Sequence, residues 1–191
     1  MPQQTDEEIA AGVQKGDTEI FGQLVERYEP KMTRYAHKFL FAHADAQDLV
    51  QEVFIKAFVH IKSFDAKRKF SSWLYRIAHN EFINALKRKE KGPLYFFDPD
   101  TFWPHPLSKE TADRDINEKE LKEMMSLSLN KLQPKYREPL VLYYYEEMDY
   151  KEIAEVLKIP IATVGVTRQR AKNKLKKIVE KINEPGGKSR T

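Results

Sequence analysis

Cysteine is absent from the 191-residue chain. Disulfides and thiolate metal sites are therefore excluded, and a reducing compartment such as the cytoplasm suits the sequence. The marks of catalysis are missing too. The five histidines, His37, His43, His60, His79 and His105, form no metal-ligand spacing. Gly187-Lys188-Ser189 lacks the upstream glycine of a P-loop, and no Gly-x-Ser-x-Gly elbow occurs. No apolar run approaches the ~20 residues of a membrane span. The opening MPQQTDEEIA is acidic and polar, unlike a signal peptide. No enzyme activity, cofactor, metal or small-molecule substrate is expected.

What the chain does have is charge, unevenly placed. Its apolar fraction is 41% and its charged fraction 32%, a balance that fits small helical cores with much polar surface. The net charge is only +4, yet residues 62–91 carry nine basic side chains against three acids, and residues 158–191 carry ten against two. Between these blocks, residues 94–120 carry seven acids against three basic residues. Two basic blocks parted by an acidic stretch point to two polyanion contacts on one chain; solvated helix faces are the plainer alternative.

The apolar pattern is helical almost throughout, which predicts an all-α protein. Thr5 with Glu8 forms a capping-box signature, and Gly16 closes that first helix. Asp17 is expected to cap the next one, where Pro30 predicts a kink or break. A helix from about Ala44 is expected to bury Leu49, Val50, Val53, Phe54, Ala57, Phe58 and Ile61. Ser71 is a candidate cap for a helix with the stripe Leu74, Ile77, Ala78, Phe82 and Leu86. Pro134 suits a first helical turn. Asp149 can cap a short helix that Lys158-Ile159-Pro160 ends. The expected organisation is a domain over 1–91, a Pro-rich linker over 92–114, a second small helical domain over 115–182 and a disordered tail over 183–191. Tyr95, Phe96, Phe97, Phe102 and Trp103 crowd the linker, which is expected to dock either on the chain's own domains or in a partner's groove.

Three motifs carry the functional reading. The first is a helix-turn-helix: Tyr150 to Leu157, with small Ala154 near the crossing, then a three-residue turn and a basic helix. In such a unit the second helix enters the major groove. Thr163, Thr167, Arg168, Arg170, Lys172 and Lys174 are its candidate DNA contacts, with arginine able to read base edges and threonine and lysine able to hold phosphates. The second motif is the helix after Ser71. Trp73, Arg76, His79, Asn80, Asn84, Lys87 and Arg88 surround one side of its stripe. Such a mixture suits unpaired bases, which expose a π-face and Watson–Crick edges, although plain core packing is the expected role for much of the Trp73 ring. The third is Asp45, Asp48 and Glu52 at spacings of three and four on one helix face, a protein-docking surface or, as spacing alone favours, merely a solvated one.

In combination these motifs resemble a known family. DLVQEVFIKAF, then SFDAKRKFSSWLYRIAHNEFINALKR, then a Pro-rich linker, then LQPKYREPLVLYYYEEMDYKEIAEVLKIP is the order found in extracytoplasmic-function sigma factors (sigma-70 family, group IV). The resemblance implies a sigma-2-like helical bundle and a sigma-4-like helix-turn-helix domain. It implies core RNA polymerase (beta and beta-prime subunits), promoter DNA and an anti-sigma factor, often a membrane-spanning one, as partners. Asp48, Gln51 and Glu52 would dock on core. Lys67, Arg68, Trp73, Arg76, Asn80, Asn84, Lys87 and Arg88 would melt and read the minus-10 element. The last helix would read the minus-35 element, and the linker would thread the RNA-exit path. Cytoplasmic location, on the nucleoid through polymerase or held at the membrane by the anti-sigma factor, follows from the same resemblance.

Two departures stand out. Asn84 takes the place of the family's usual Asp. The usual Gly-Thr-Val, basic residue, Ser or Thr, and Arg is replaced by Ala162-Thr163-Val164-Gly165-Val166-Thr167-Arg168, which puts Arg168 where an apolar residue would pack. Gly165 inside a helix costs roughly 1 kcal/mol against Ala; it either brings the helix close to the DNA backbone or weakens it. The rival readings are a conventional helix-turn-helix regulator acting without polymerase, and a helical adaptor with no DNA role. The Trp73/Asn80 helix argues against the first, and the basic C-terminal block against the second.

Overall fold

The computed structural model describes residues 4–40, 45–90 and 118–183. The linker aromatics and the tail beyond Asn183 lie outside them. Eight α-helices are described: α1 (Asp6–Gln14), α2 (Phe21–Leu40), α3 (Ala46–His60), α4 (Phe70–Glu90), α5 (Glu118–Asn130), α6 (Pro134–Tyr144), α7 (Tyr150–Leu157) and α8 (Ile161–Asn183). A single 3-10 turn, Ile61–Ser63, follows α3. No strand occurs among the described residues, so the all-α expectation holds there.

Local chemistry sets several boundaries. Thr5 and Glu8 form the expected capping box on α1, satisfying two otherwise unpaired N–H groups. Gly16 then takes φ +111, which a side chain would resist. Asp149 and Glu152 form a second capping box on α7. Lys158 ends α7 in the left-handed conformation, and α8 begins just after Pro160. Pro134 stands in the first turn of α6, where its missing N–H costs nothing.

Four expectations are corrected. α2 runs unbroken through Pro30. That residue is exposed, while Leu24, Tyr28, Met32, Tyr35 and Phe39 around it are buried, so tertiary burial offsets the lost hydrogen bond. The same helix opens only at Phe21, leaving Asp17 outside it. α4 opens two residues early, at Phe70, whose N–H donates to the Glu7 carboxylate at 2.9 Å; a residue of α1 does the work expected of Ser71. Phe58 is 40% exposed rather than buried, with its ring edge-on to Phe21.

The N-terminal half packs α2, α3 and α4 together, with α1 across one end. Its core is aromatic. Tyr35 sits within ring contact of Phe39, Tyr75 and Phe82, and a second cluster joins Phe64, Phe70 and Trp73. Gln14 fastens α1 to the turn after α3 by donating to the carbonyls of Ile61 and Phe64 at 2.8 and 2.7 Å. In the C-terminal half α8 packs on α5, α6 and α7. The halves touch: α7 lies on α4 and α6 on α2, and Val141, Leu142, Ile153 and Val156 join the apolar cluster of the N-terminal half.

Candidate nucleic-acid interface

On α4 a spacing of three to four residues places Arg76, Asn80, Asn84, Lys87 and Arg88 along one side. Asn80, Asn84, Lys87 and Arg88 are exposed, and Arg76 is half-buried. Lys67 and Arg68, in the loop before the helix, are exposed as well. All of these lie on α4 or in the loop just before it, and Arg68 and Arg76 line one cleft. Trp73 is different: half-buried, its ring packs within 5.4 Å of Phe64 and 5.6 Å of Phe70, the core-packing alternative for most of its area. His79 is half-buried, its side chain 21% exposed. Its Nδ1 lies 2.6 Å from the Glu138 carboxylate of α6.

The N-terminal part of this surface is covered by α7. Lys69 Nζ pairs with Glu152 at 2.8 Å and Arg68 with Glu155 at 3.3 Å. A narrow cleft between the two helices is lined by Phe64, Arg68, Trp73, Arg76 and Glu155. Beneath these exposed pairs lie buried ones. Glu138, almost wholly buried, accepts from the Tyr35 hydroxyl. The Glu146 side chain is only 1% exposed. It accepts two bonds from Arg34, at 3.0 and 2.8 Å, and one from Tyr75 at 2.5 Å. Burial, helped by these carboxylates, pushes both tyrosine hydroxyls well above their ordinary pKa. Arg137 donates to the Phe39 carbonyl of α2 and to the Asn130 and Leu132 carbonyls. Its burial lowers its pKa to about 10. None of Arg34, Glu138 and Glu146 is marked by sequence reasoning. A signal exists for Glu138, which shares a helix face with Val141 and Leu142 and so occupies an apolar-stripe position.

On α8 the buried stripe is Val164, Ala171 and, partly, Leu175 and Ile178. Thr163, Arg170, Lys172 and Lys174 are exposed beside it, and Thr167 is half-buried. Arg168, expected among the DNA contacts, falls on the stripe itself. Its guanidinium lies over the ring faces of Tyr143 (4.2 Å) and Tyr150 (5.1 Å), and its Nε is buried without a hydrogen-bond partner. A planar cation fills an apolar position here by stacking. Gly165 faces the same tyrosine; an added Cβ would stand 3.4 Å from the Tyr150 ring. That is ordinary contact distance, so the packing of α7 on α8 does not itself require a glycine here.

On α3, Asp48, Gln51 and Glu52 are all exposed on one face, with Lys56 bridging Glu52 at 3.5 Å and Glu81 at 2.6 Å. The same face continues into Ile55 (57% exposed) and Val59 (65% exposed). Sequence reasoning missed both, although positions 48, 52, 55 and 59 repeat at helical spacing. A face of acids running into bare aliphatics is suited to protein rather than nucleic acid. Among the described residues no cluster could hold a metal, and no helix is long and apolar enough to cross a membrane.

Comparison with known proteins shows the family. A Sigma-70 region 2 model matches residues 24–92, and a Sigma-70, region 4 model matches residues 122–175. The ECF RNA polymerase sigma factor SigW of Bacillus subtilis is 37% identical over 173 residues, spanning 86% of this chain and 91% of that protein. The chain belongs to the extracytoplasmic-function sigma factors. The RNA polymerase sigma-H factor of Pseudomonas aeruginosa is similar at 29% identity over 95% of this chain and 97% of its own length. CnrH, solved in complex with the cytosolic domain of CnrY, shares the fold with a TM-score of 0.68 and 27% identity, over 92% of this chain and 97% of its own. This sigma factor is accordingly a non-enzymatic protein of promoter-directed transcription initiation with RNA polymerase. A helix-turn-helix regulator working without polymerase is not favoured.

Proposed function

We propose that this sigma factor divides its promoter work between two modules, residues 1–91 and 115–182, joined by the 92–114 linker. The exposed row Asn80, Asn84, Lys87 and Arg88, with Lys67, Arg68, Trp73 and Arg76 at its N-terminal end, takes the minus-10 element as an unpaired strand. Amides offer hydrogen bonds to base edges, the indole edge offers stacking and the cations follow phosphates. The α8 residues Thr163, Thr167, Arg170, Lys172 and Lys174 take the minus-35 element as duplex. Arg168 is here a positioning residue that sets α8 against α7. Asp48, Gln51 and Glu52, extended by Ile55 and Val59, dock on core polymerase. The observation that carries this reading is the presence of two separate basic helices, one bearing amides and an aromatic edge, within the two matched sigma regions of one chain.

The protein acts in the cytoplasm, on the nucleoid through polymerase, and is held inactive by an anti-sigma factor, in one arrangement at the membrane. The support comes from CnrH, 27% identical and solved in complex with the cytosolic domain of CnrY; RpoE of Bartonella quintana, solved with the anti-sigma factor NepR, shares the fold at 23% identity. Run-off transcription on genomic fragments tests the reading. Purified chain plus core is expected to start transcription at specific promoters where neither does so alone. No new start site would sink it, and Asp48→Arg is expected to reduce capture of core by charge reversal.

A further inference from the structure

The loop that leads into α4 is short, exposed and held from behind. Residues 65–69 are all exposed, while Ile61, Phe64 and Phe70 beside them are buried. The backbones of those same three residues are the ones that α1 reaches. The Gln14 side-chain amide donates to the carbonyls of Ile61 and Phe64 at 2.8 and 2.7 Å, and the Glu7 carboxylate accepts the N–H of Phe70 at 2.9 Å. Glu7 and Gln14 are two helical turns apart, so they share one face of α1 and stand ~10 Å apart along its axis. One helix face thus fixes both ends of the loop.

Helix α1 is in turn fastened to α2. Asp6 accepts from Arg27 at 2.6 Å and from the Tyr28 hydroxyl at 2.5 Å, and the Tyr28 ring lies edge-on to Phe70. Inside the loop, Asp65 accepts the Lys67 N–H on its side chain at 3.0 Å and the Arg68 N–H on its carbonyl at 2.9 Å. A loop braced at both ends and once within has little freedom left. The chemistry of Glu7 points the same way. It shares an open pocket with Lys67, Arg68 and Lys69, where a carboxylate repels phosphate. Affinity for a polyanion would disfavour an acid there. What Glu7 offers instead is an acceptor for the first N–H of α4, a group with no partner inside the helix, and a charge that suits the helix dipole.

We propose that α1 is a clamp for the minus-10 loop, with Glu7 and Gln14 as positioning residues that hold residues 65–69 in the shape the unpaired strand requires, without touching DNA themselves. This rests on the assignment of Lys67 and Arg68 to the minus-10 strand. It adds to that reading a specificity device on a helix to which no DNA contact is assigned. A loop already shaped loses less freedom when the strand arrives, so affinity for the right sequence is gained with no further contact. A loosened loop would still meet phosphates through its cations, so the loss falls on sequence preference first.

Holoenzyme assembled from purified chain and core polymerase provides the test. The probes are a fluorescent single strand with the non-template minus-10 sequence of a promoter mapped by run-off transcription, the same strand scrambled, and a duplex carrying only the minus-35 half. Glu7→Ala and Glu7→Gln both remove the charge, but only Glu7→Gln keeps an acceptor for the Phe70 N–H. Glu7→Ala is expected to bind the specific strand about fivefold weaker than the natural chain, and Glu7→Gln to recover most of that loss. The scrambled strand and the duplex should be bound no more weakly than before. Since loss of an acid beside the loop cations would by itself tighten binding, a weakened specific strand is not a charge effect. Gln14→Leu, which removes the donor at constant charge, is expected to match Glu7→Ala. Specific-strand affinity that holds or rises in both Glu7→Ala and Gln14→Leu overturns the clamp and leaves the strand assignment standing. Equal loss on all three probes also overturns it, as a general loss of folded chain. If Lys67→Ala/Arg68→Ala binds the specific strand as tightly as the natural chain, the strand assignment falls and the clamp with it.

Discussion

The two basic helices α4 and α8 are similar in charge and differ in company. α8 shows Arg170, Lys172 and Lys174 on its exposed side, while its acid-free first turns meet the tyrosines of α6 and α7 from within. The loop and first turns of α4 instead face Glu152 and Glu155, and its middle is anchored through Tyr75 and His79 to two buried acids. The difference teaches that exposure of a basic helix cannot be read from its own residues. It depends on what the rest of the chain can bring to it. A helix that reads duplex can stay open at little cost, because a duplex site competes on equal terms with water. A helix that binds unpaired bases needs an apolar edge such as Trp73, and that edge is also attractive to the chain itself.

The largest effect should come from the buried anchor. Glu138→Ala would leave the Tyr35 hydroxyl and the His79 ring without their acceptor in a closed interior. Loss of one partner from such a set costs about 3 kcal/mol. Denaturant unfolding should show that loss, whereas Glu147→Ala, at an exposed neighbour, should fall within about 0.5 kcal/mol of the natural chain. Equal losses from the two variants would mean that the modules are not held through Glu138.

That anchor also marks the limit of what is legible in the sequence. Thr5 with Glu8, Asp149 with Glu152, Pro134 and the Lys158 break are all readable, because a cap or a turn is a matter of a few neighbouring residues. Pro30 misleads: a local rule says kink, but the burial of Tyr28 and Met32 on either side overrides it. The cap on α4 escapes local reading because the accepting carboxylate, Glu7, lies 63 residues away. Glu146 and Arg34 are 112 residues apart, and nothing in either neighbourhood marks an acid for burial. For the site, the strip from Asn80 to Arg88 is visible as a helical repeat. The cover over its beginning is not, since it exists only once two modules have docked.

Next in size is the functional contrast between the helices. Asn80→Ala removes an amide from the exposed strip beyond the part of α4 that α7 covers. A contact to one unpaired base is worth about 1–3 kcal/mol. Permanganate footprinting with core should then show lost melting while filter binding of the closed duplex is largely kept. Lys172→Ala should do the reverse, weakening duplex binding at every promoter and lowering the log–log salt slope by about 0.9. If both variants damage melting and duplex binding alike, the division of labour between α4 and α8 fails.

A weaker dependence is expected on pH, confined to alkaline solution. Burial, and then the charges of Glu138 and Glu146, raise the pKa values of Tyr35 and Tyr75 above the ordinary 10.0. A group whose pKa is raised in the closed form adds stability that is complete below its ordinary value and fades as pH climbs past it. Above pH 10 the opened chain releases these protons and the closed one holds them, so the closed form should lose ground there. Tyrosinate absorbance followed together with unfolding would reveal it. Tyr28, Tyr35, Tyr75 and Tyr145 should titrate late in the natural chain, and fewer tyrosines should do so in Glu138→Ala. Stability that stays flat through that range would argue that the two hydroxyls are already in contact with water.

The smallest effect, at Arg168, decides on which side of α8 that residue works. Its position on the stripe between Val164 and Ala171, over two tyrosine faces, makes its charge incidental and its flat shape important. Arg168→Leu should therefore be tolerated to within about 1 kcal/mol, since an aliphatic side chain can fill the same place. Arg168→Lys should cost more, because an ammonium is more strongly hydrated and cannot stack. In neither variant should the salt dependence of promoter binding change. A phosphate contact would show itself otherwise, through a slope reduced by about 0.9 in Arg168→Leu and restored in Arg168→Lys. That pattern would return Arg168 to the DNA and leave the tyrosine pair without a purpose. The expected one makes the inner face of α8, rather than its outer face, the place where Arg168 acts.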